Sequence, residues 1–236
     1  MAEAKRPRVW ELDALRGICL IGMIVVHLFF DLNTFGSVQI ELPSWFVFVR
    51  SYGHVLFVLI SGICATLGSH SFRRGVKVLC CALLVTYVTI FMDYVVGIRN
   101  IRIWFGILHM LGVCMVVYPL FKRLPGWSLL LIGLAFTVLG FWLQTVTVSV
   151  DYFFPIGLRS GRFYCGSDYF PIFPGLGWFL IGAGLGKTVY RKKASLLPRV
   201  NSDFFLLRFF RFCGRNSLLI YLLHQPILTL LTAVVF

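Results

Sequence analysis

The sequence predicts an all-helical protein that crosses a membrane several times. Three observations lead to this fold class: 59% of the residues are hydrophobic, the mean hydropathy is +0.88, and only 13% of the residues are charged. This composition is far from that of a soluble domain and is typical of helices solvated by lipid. We expect a single integral membrane domain over residues 1–236.

Seven apolar stretches are each close to the length that crosses a hydrocarbon core of about 30 Å. They cover residues 13–33, 50–68, 76–96, 102–121, 127–149, 170–189 and 213–235. With the N-terminus in the cytoplasm, seventeen Lys and Arg residues fall on the inner side and five on the outer side. Because cytoplasmic loops carry the excess of basic residues, we predict seven spans with the N-terminus inside and the C-terminus outside. Residues 150–169 are then the longest outer loop and the candidate substrate lid or rim. Residues 190–211 form a basic inner loop, which is a solvated linker or lies along the inner membrane surface. The net charge of +13 is then explained by contact with membrane lipids, and no nucleic acid partner is expected.

The first apolar stretch carries three ionisable side chains, which are costly in lipid and usually mark a functional path. Arg16 and His27 are eleven residues apart, so a helix places them on one face and about 16 Å apart along its axis. Asp31 follows His27 by one turn, where its carboxylate can accept a hydrogen bond from the imidazole. The pattern predicts that His27 is a general base whose tautomer is fixed by Asp31. A hydrogen bond between helices is the alternative for His27.

Three further histidines are predicted to lie within the membrane. His54 enters the second stretch from the outer side at a position that can reach the depth of His27, so we assign it to the catalytic site as a second base or a carbonyl polariser. A histidine at the membrane interface is the alternative for His54. His109 and His224 lie within the fourth and seventh stretches, where an unpaired polar group is expensive. We expect both to face a polar cavity, and hydrogen bonding between helices remains the alternative for each.

Arginines gather at the inner ends of the first and third stretches. Arg16, Arg73 and Arg74 offer planar guanidinium groups that suit phosphate. Contact with inner headgroups explains Arg16 nearly as well, and ordinary positive-inside charge explains the other two. The histidines lack the close spacing of metal ligands and no nucleotide-binding glycine motif is present, so we expect no metal site.

The arginine, ten residues and histidine within LDALRG…VVH resemble the signature of membrane acyltransferases that O-acetylate cell-surface glycans. The wider chain is similar to small bacterial proteins related to the heparan-α-glucosaminide N-acetyltransferase catalytic domain. The similar stretches are YGHVLFVLISGICATLG (52–68), FGILHMLGVCMVVYP (105–119), SDYFPIFPGLGWFLIGAGLG (167–186) and GRNSLLIYLLHQPIL (214–228). The resemblance spans nearly the whole chain.

The resemblance implies an acyltransferase in the bacterial cytoplasmic membrane that takes acyl-CoA, most simply acetyl-CoA, from the inner side. The acceptor would be a glycan, an amine or another small molecule near the outer face. Arg16, with Arg73 and Arg74, would hold the phosphates of CoA, and His109 and His224 would line the cofactor site. Because this chain is shorter than the enzymes it resembles, a homodimer is left open as the assembly that completes the site.

Two other functions remain open from the sequence. The intramembrane His, Asp and Arg residues could form a proton or solute path in a small transporter. A non-catalytic assembly or lipid-binding protein would tolerate alanine at His27. Acyl-CoA consumption separates the enzyme from both alternatives.

Overall fold

The computed structural model describes residues 9–35, 41, 43–97, 101–163, 165, 168–198, 200 and 204–235. In these ranges the regular structure is helical, apart from one isolated bridge between Thr147 and Arg159. The α-helices in chain order are α1 (Trp10–Phe35), α2 (Ser44–Leu67), α3 (Ser71–Phe91), α4 (Ile107–Phe121), α5 (Gly126–Thr145), α6 (Ile172–Thr188), α7 (Phe205–Arg215) and α8 (Ser217–Val235). A π-helical turn, Met92–Val96, continues α3, and a 3₁₀ turn, Phe154–Ile156, lies before α6. The all-helical prediction is confirmed.

Each predicted apolar stretch overlaps a helix, and α7 is an additional helix within residues 190–211, which were predicted to form a basic inner loop. Four segments are long and apolar enough to cross a bilayer: Trp10–Asn33, Phe46–Leu67, Ser71–Val96 and Gly126–Thr145. Helices Ile107–Phe121 and Ser217–Leu231 are apolar but shorter. The length and apolar composition of these helices are those of a membrane protein. The seven spans and the N-in orientation stay predictions.

The outer surface of α5 illustrates how these helices suit lipid. Trp127 and Trp142 are both more than half exposed and lie about 22 Å apart along the helix axis. Between them, Leu131, Leu134 and Val138 also point outward. Aromatic residues near both ends of an apolar helix are typical of a span whose ends lie at the headgroup level.

The chain forms two compact units. The first unit contains residues 1–60 and 190–236, in which α1 packs against α7 and α8. Gly17 and Gly214 allow the close approach of α1 and α7, because a Cβ at either glycine would overlap a backbone carbonyl of the other helix. An ion pair of 3.2 Å between Arg215 and Asp13 ties the same two helices together.

The second unit contains residues 61–189, in which α5 packs against α6 and α3 packs against α4. Small residues bring α5 and α6 together: a Cβ at Gly133 would lie 2.8 Å from the carbonyl oxygen of Gly177. Tyr118 and Phe179 are fully buried and pack edge to face, with ring centroids 6.0 Å apart. That all 236 residues act as one domain stays a prediction.

Candidate active site

Two histidines meet in the first unit. His27 on α1 and His224 on α8 have ring centroids 5.0 Å apart, with the ring planes tilted by 59°. His27 is half-buried, and His224 is 8% exposed. The sequence predicted both residues as site residues in different roles, and the packing of α1 on α8 brings their rings together.

The carboxylate of Asp31 is engaged by α8. Asp31 is 1% exposed, and its two oxygens accept hydrogen bonds of 3.2 and 3.0 Å from Nε2 of Gln225. The expected hydrogen bond from His27 is not formed, because the side-chain amide of the facing helix supplies the donor instead. A spacing of one turn permits such a bond within a helix but does not require it, since the rotamers decide which neighbour is met.

The ring of His224 is oriented by its own helix. Its Nδ1 hydrogen-bonds the backbone carbonyl of Tyr221, one turn earlier. A carbonyl oxygen only accepts, so Nδ1 must carry the proton. The other ring nitrogen, Nε2, is buried and has no hydrogen-bond partner within the described part of the chain. Its lone pair is therefore turned away from water and not used by the described residues.

Gln225 was not among the predicted site residues. Its Nε2 holds Asp31, while its Oε1 is buried without a hydrogen-bond partner. A carboxylate needs a donor, so this contact also fixes which end of the amide is nitrogen. The signal in the sequence was an amide between His224 and Pro226 in an otherwise apolar helix, where each polar group needs a reason to be present.

Arg16 and His54 also belong to the first unit. The helix α1 is continuous from Trp10 to Phe35, so the predicted shared face of Arg16 and His27 rests on an unbroken helix. The Nε of Arg16 is buried without a hydrogen-bond partner, although the residue as a whole is half-buried. His54 lies half-buried on α2. Their roles in catalysis and cofactor binding stay predictions.

His109 lies in the second unit, where both of its ring nitrogens are used. Nδ1 accepts a hydrogen bond of 3.2 Å from the backbone N–H of Gly106, and Nε2 lies 3.2 Å from Oγ1 of Thr86. The Thr86 hydroxyl in turn donates to the carbonyl of Ile103 at 2.8 Å. The ring therefore carries its proton on Nε2, and its Nδ1 caps the N-terminus of α4 by accepting from Gly106. These hydrogen bonds give His109 a structural role, and its predicted contact with the cofactor stays a prediction.

Arg73 and Arg74 lie in the first turns of α3, in the second unit, with exposed side chains. Their position at a helix terminus fits either a phosphate contact or a solvated basic surface. They belong to the second unit and the histidine pair to the first, and their predicted role in binding the phosphates of CoA stays a prediction.

The loop predicted as an outer rim is folded by side-chain contacts. Ser160 donates to Asp151 from its backbone N–H at 2.8 Å and from its hydroxyl at 2.9 Å. The hydroxyl of Tyr169 donates to the carbonyl of Phe154 at 2.7 Å. Burial raises the pKa of Tyr169 to about 12, against a smaller lowering by the nearby guanidinium of Arg159. Hydrogen bonds from its own side chains therefore hold the described part of this loop in one conformation.

Comparison of the sequence with known protein families identifies the family of this chain. The family model described as heparan-alpha-glucosaminide N-acetyltransferase, catalytic, matches residues 8–226. No curated protein and no solved structure matches the chain. The matched region holds Arg16, His27 and Asp31 at one end and His224 and Gln225 at the other, so the side chains that meet between α1 and α8 are all inside it. The chain belongs to the family of the heparan-α-glucosaminide N-acetyltransferase catalytic domain.

Proposed function

We propose that this protein is an acyl-CoA-dependent membrane acyltransferase, which moves an acyl group, most simply acetyl, from cytoplasmic CoA to an acceptor near the outer face. The observation that carries the proposal is the contact of His27 with His224, whose Nε2 is buried and has no hydrogen-bond partner among the described residues. A positioned imidazole is the group most often used to take a proton from an attacking nucleophile. Membership of the family supports acetyl transfer as the reaction.

The length of α1 suits a division of labour. The histidine pair would form the reaction centre, and Arg16, about 16 Å away along the same helix, would bind a phosphate of CoA. That separation allows the extended pantetheine arm to join a phosphate site to a thioester at the histidines. His54 would support the reaction centre from α2, and Arg73 and Arg74 would add positive charge where CoA arrives.

The protein would act in the cytoplasmic membrane of a bacterium, with lipids as its surroundings and a glycan, an amine or another small molecule as the acceptor. No metal takes part in this proposal, because proton transfer and attack on a thioester need none. A homodimer is the assembly to examine if the isolated chain binds CoA without transferring its acyl group.

The test is acetyl-CoA turnover by the purified protein in nanodiscs, measured as release of free CoA with a pool of sugar and amine acceptors. We expect His27→Ala to lower turnover by about 10²-fold or more while CoA still binds, since a group of the reaction centre that moves a proton or stabilises the developing charge contributes at least about that much. Arg16→Ala should weaken CoA binding. The matched controls are His70→Ala and Arg123→Ala, both at exposed positions, which should leave turnover unchanged.

Full turnover in His27→Ala would refute the place of the histidine pair in the reaction. A wild-type protein that neither binds nor consumes acetyl-CoA would refute the enzyme, and flux measurements on proteoliposomes would then test transport.

A further inference from the structure

We propose that His224, and not His27, is the base that takes the proton from the acceptor. This assignment rests on the proposed acyltransferase function and names which member of the histidine pair accepts the proton. It differs from the expectation drawn from the sequence, in which His27 was the base and His224 lined the cofactor site. The contacts of the two rings carry the distinction.

A general base must present a nitrogen lone pair, and the hydrogen bond at the other nitrogen decides which one. The Tyr221 carbonyl holds the proton of His224 on Nδ1. Nε2 is left as the lone-pair nitrogen, buried and without a hydrogen-bond partner among the residues that the structure describes. When Nε2 takes a proton, the ring becomes an imidazolium whose Nδ1–H is already bound to a carbonyl, which stabilises the positive charge. A backbone carbonyl thus does for His224 what a carboxylate does for the histidine of a catalytic triad.

His27 lacks this arrangement. Among the described residues, His27 makes a ring contact with His224, with centroids 5.0 Å apart. The Asp31 carboxylate, which was expected to orient His27, accepts its hydrogen bonds from Gln225 instead. The role left to His27 is to donate a hydrogen bond to the oxygen of the thioester carbonyl, where negative charge develops during attack.

The groups around His224 come from two helices. From α1, the ring of His27 faces the ring of His224. Asp31, also on α1, accepts a hydrogen bond from Gln225, the residue that follows His224 on α8. From α8 the Tyr221 ring lies with its centroid 5.2 Å from that of the imidazole. The bond between Asp31 and Gln225 fixes the side chain next to His224 in sequence, so Asp31 acts as a positioning residue for α8 and not as a partner of either ring.

The acceptor nitrogen or oxygen attacks the thioester carbonyl carbon, its N–H or O–H bond breaks, and the proton passes to Nε2 of His224. A new C–N or C–O bond forms and the C–S bond breaks. The CoA thiolate leaves and takes the proton from the imidazolium, which returns His224 to its starting tautomer and yields free CoA. No oxidant, reductant or further reactant is needed.

A first experiment measures the tautomer without turnover. Solid-state NMR of protein labelled with ¹⁵N-histidine, in lipid, distinguishes a ring protonated at Nδ1 from one protonated at Nε2. The signal of His224 is identified by its loss in His224→Gln. We expect protonation at Nδ1 alone at neutral pH. Protonation at Nε2 would overturn the assignment even in an active protein, and the tautomer itself is measured on the wild-type protein.

A second experiment uses an acceptor that does not need a base. Hydroxylamine is neutral at neutral pH and is a strong nucleophile, so its reaction depends on carbonyl polarisation more than on proton removal. With an ordinary amine or sugar acceptor, His224→Gln should lose about 10²- to 10⁴-fold in turnover. With hydroxylamine, after subtraction of the enzyme-free reaction, His224→Gln should recover to within about tenfold of wild type, whereas His27→Ala should stay low.

The outcomes separate the two proposals. Turnover that survives in His224→Gln, or a rescue by hydroxylamine of His27→Ala in place of His224→Gln, overturns the assignment of His224 and leaves the acyltransferase standing. Absence of acetyl-CoA consumption by the wild type overturns the proposed function, and the assignment falls with it. His70→Ala, at an exposed position outside the site, is the control that should match wild type with both acceptors.

Discussion

Replacing Gln225 by leucine tests whether the contact between α1 and α8 depends on the Asp31 carboxylate. The amide nitrogen donates to both oxygens of a side chain that is 1% exposed. Leucine has a similar size but no donor, so the carboxylate would be left buried without a hydrogen bond. Hydrogen bonds to charged groups contribute about 1.5–3 kcal/mol, and an uncompensated buried charge costs about 3–5 kcal/mol. We expect a loss of about 3 kcal/mol in the free energy of unfolding.

Unfolding in mixed micelles, followed by circular dichroism as denaturing detergent is added, measures this loss. The control is Gln144→Leu on the exposed side of α5, which should change the free energy by less than about 0.5 kcal/mol. The double variant Asp31→Leu with Gln225→Leu removes both polar partners and should recover most of the stability. If Gln225→Leu alone is as stable as wild type, or if the double variant is no better than the single one, the contact does not hold α1 to α8.

Three further predictions concern both units. Gly17→Ala should lower the free energy of unfolding by about 2 kcal/mol or more, because its Cβ would overlap a carbonyl of α7. Gly22→Ala, whose added Cβ meets nothing within 4 Å, should leave it unchanged. Equal denaturation midpoints for the two variants would contradict this prediction. Thr86→Val removes the hydroxyl beside His109 and should cost about 1–3 kcal/mol without changing CoA affinity; weaker CoA binding would instead support the predicted cofactor role. Burial raises the pKa of Tyr169 from 10.0 to about 12. Its contribution to the free energy of unfolding is therefore full below about pH 10 and lost by about pH 12. Tyr169→Phe should remove that pH dependence, and an unchanged pH profile in this variant would count against the burial of the hydroxyl.

The helices were largely predictable because each depends on a local property of the chain. An apolar run of the right length favours a helix in lipid, and each of the seven predicted stretches overlaps one. The helix α7 was missed because the charges of residues 190–211 predicted a solvated loop. Its phenylalanines and arginines nevertheless alternate with a helical period, and Gly214 lets it pack on α1.

The candidate site was only partly predictable. His27 and Asp31 were found because ionisable groups in an apolar stretch are costly and need a function. Gln225 was missed because a neutral amide gives a weaker signal. His109 was assigned to the cofactor site on its membrane depth and the stretch around it. The structure places one of its nitrogens at the N-terminus of α4 and the other beside Thr86 of α3, and the cofactor role stays a prediction.

The sequence by itself determined that this is a helical membrane protein and that Arg16 and His27 lie on one face of one helix, because helix geometry fixes the separation of residues close in the chain. Only the tertiary structure decided that His27 meets His224 and that Asp31 binds Gln225, since these residues lie nearly two hundred positions apart. Such contacts depend on which helices pack together and at what height. That outcome is set by many small steric fits, such as the glycines between α1 and α7, and not by the spacing of any motif.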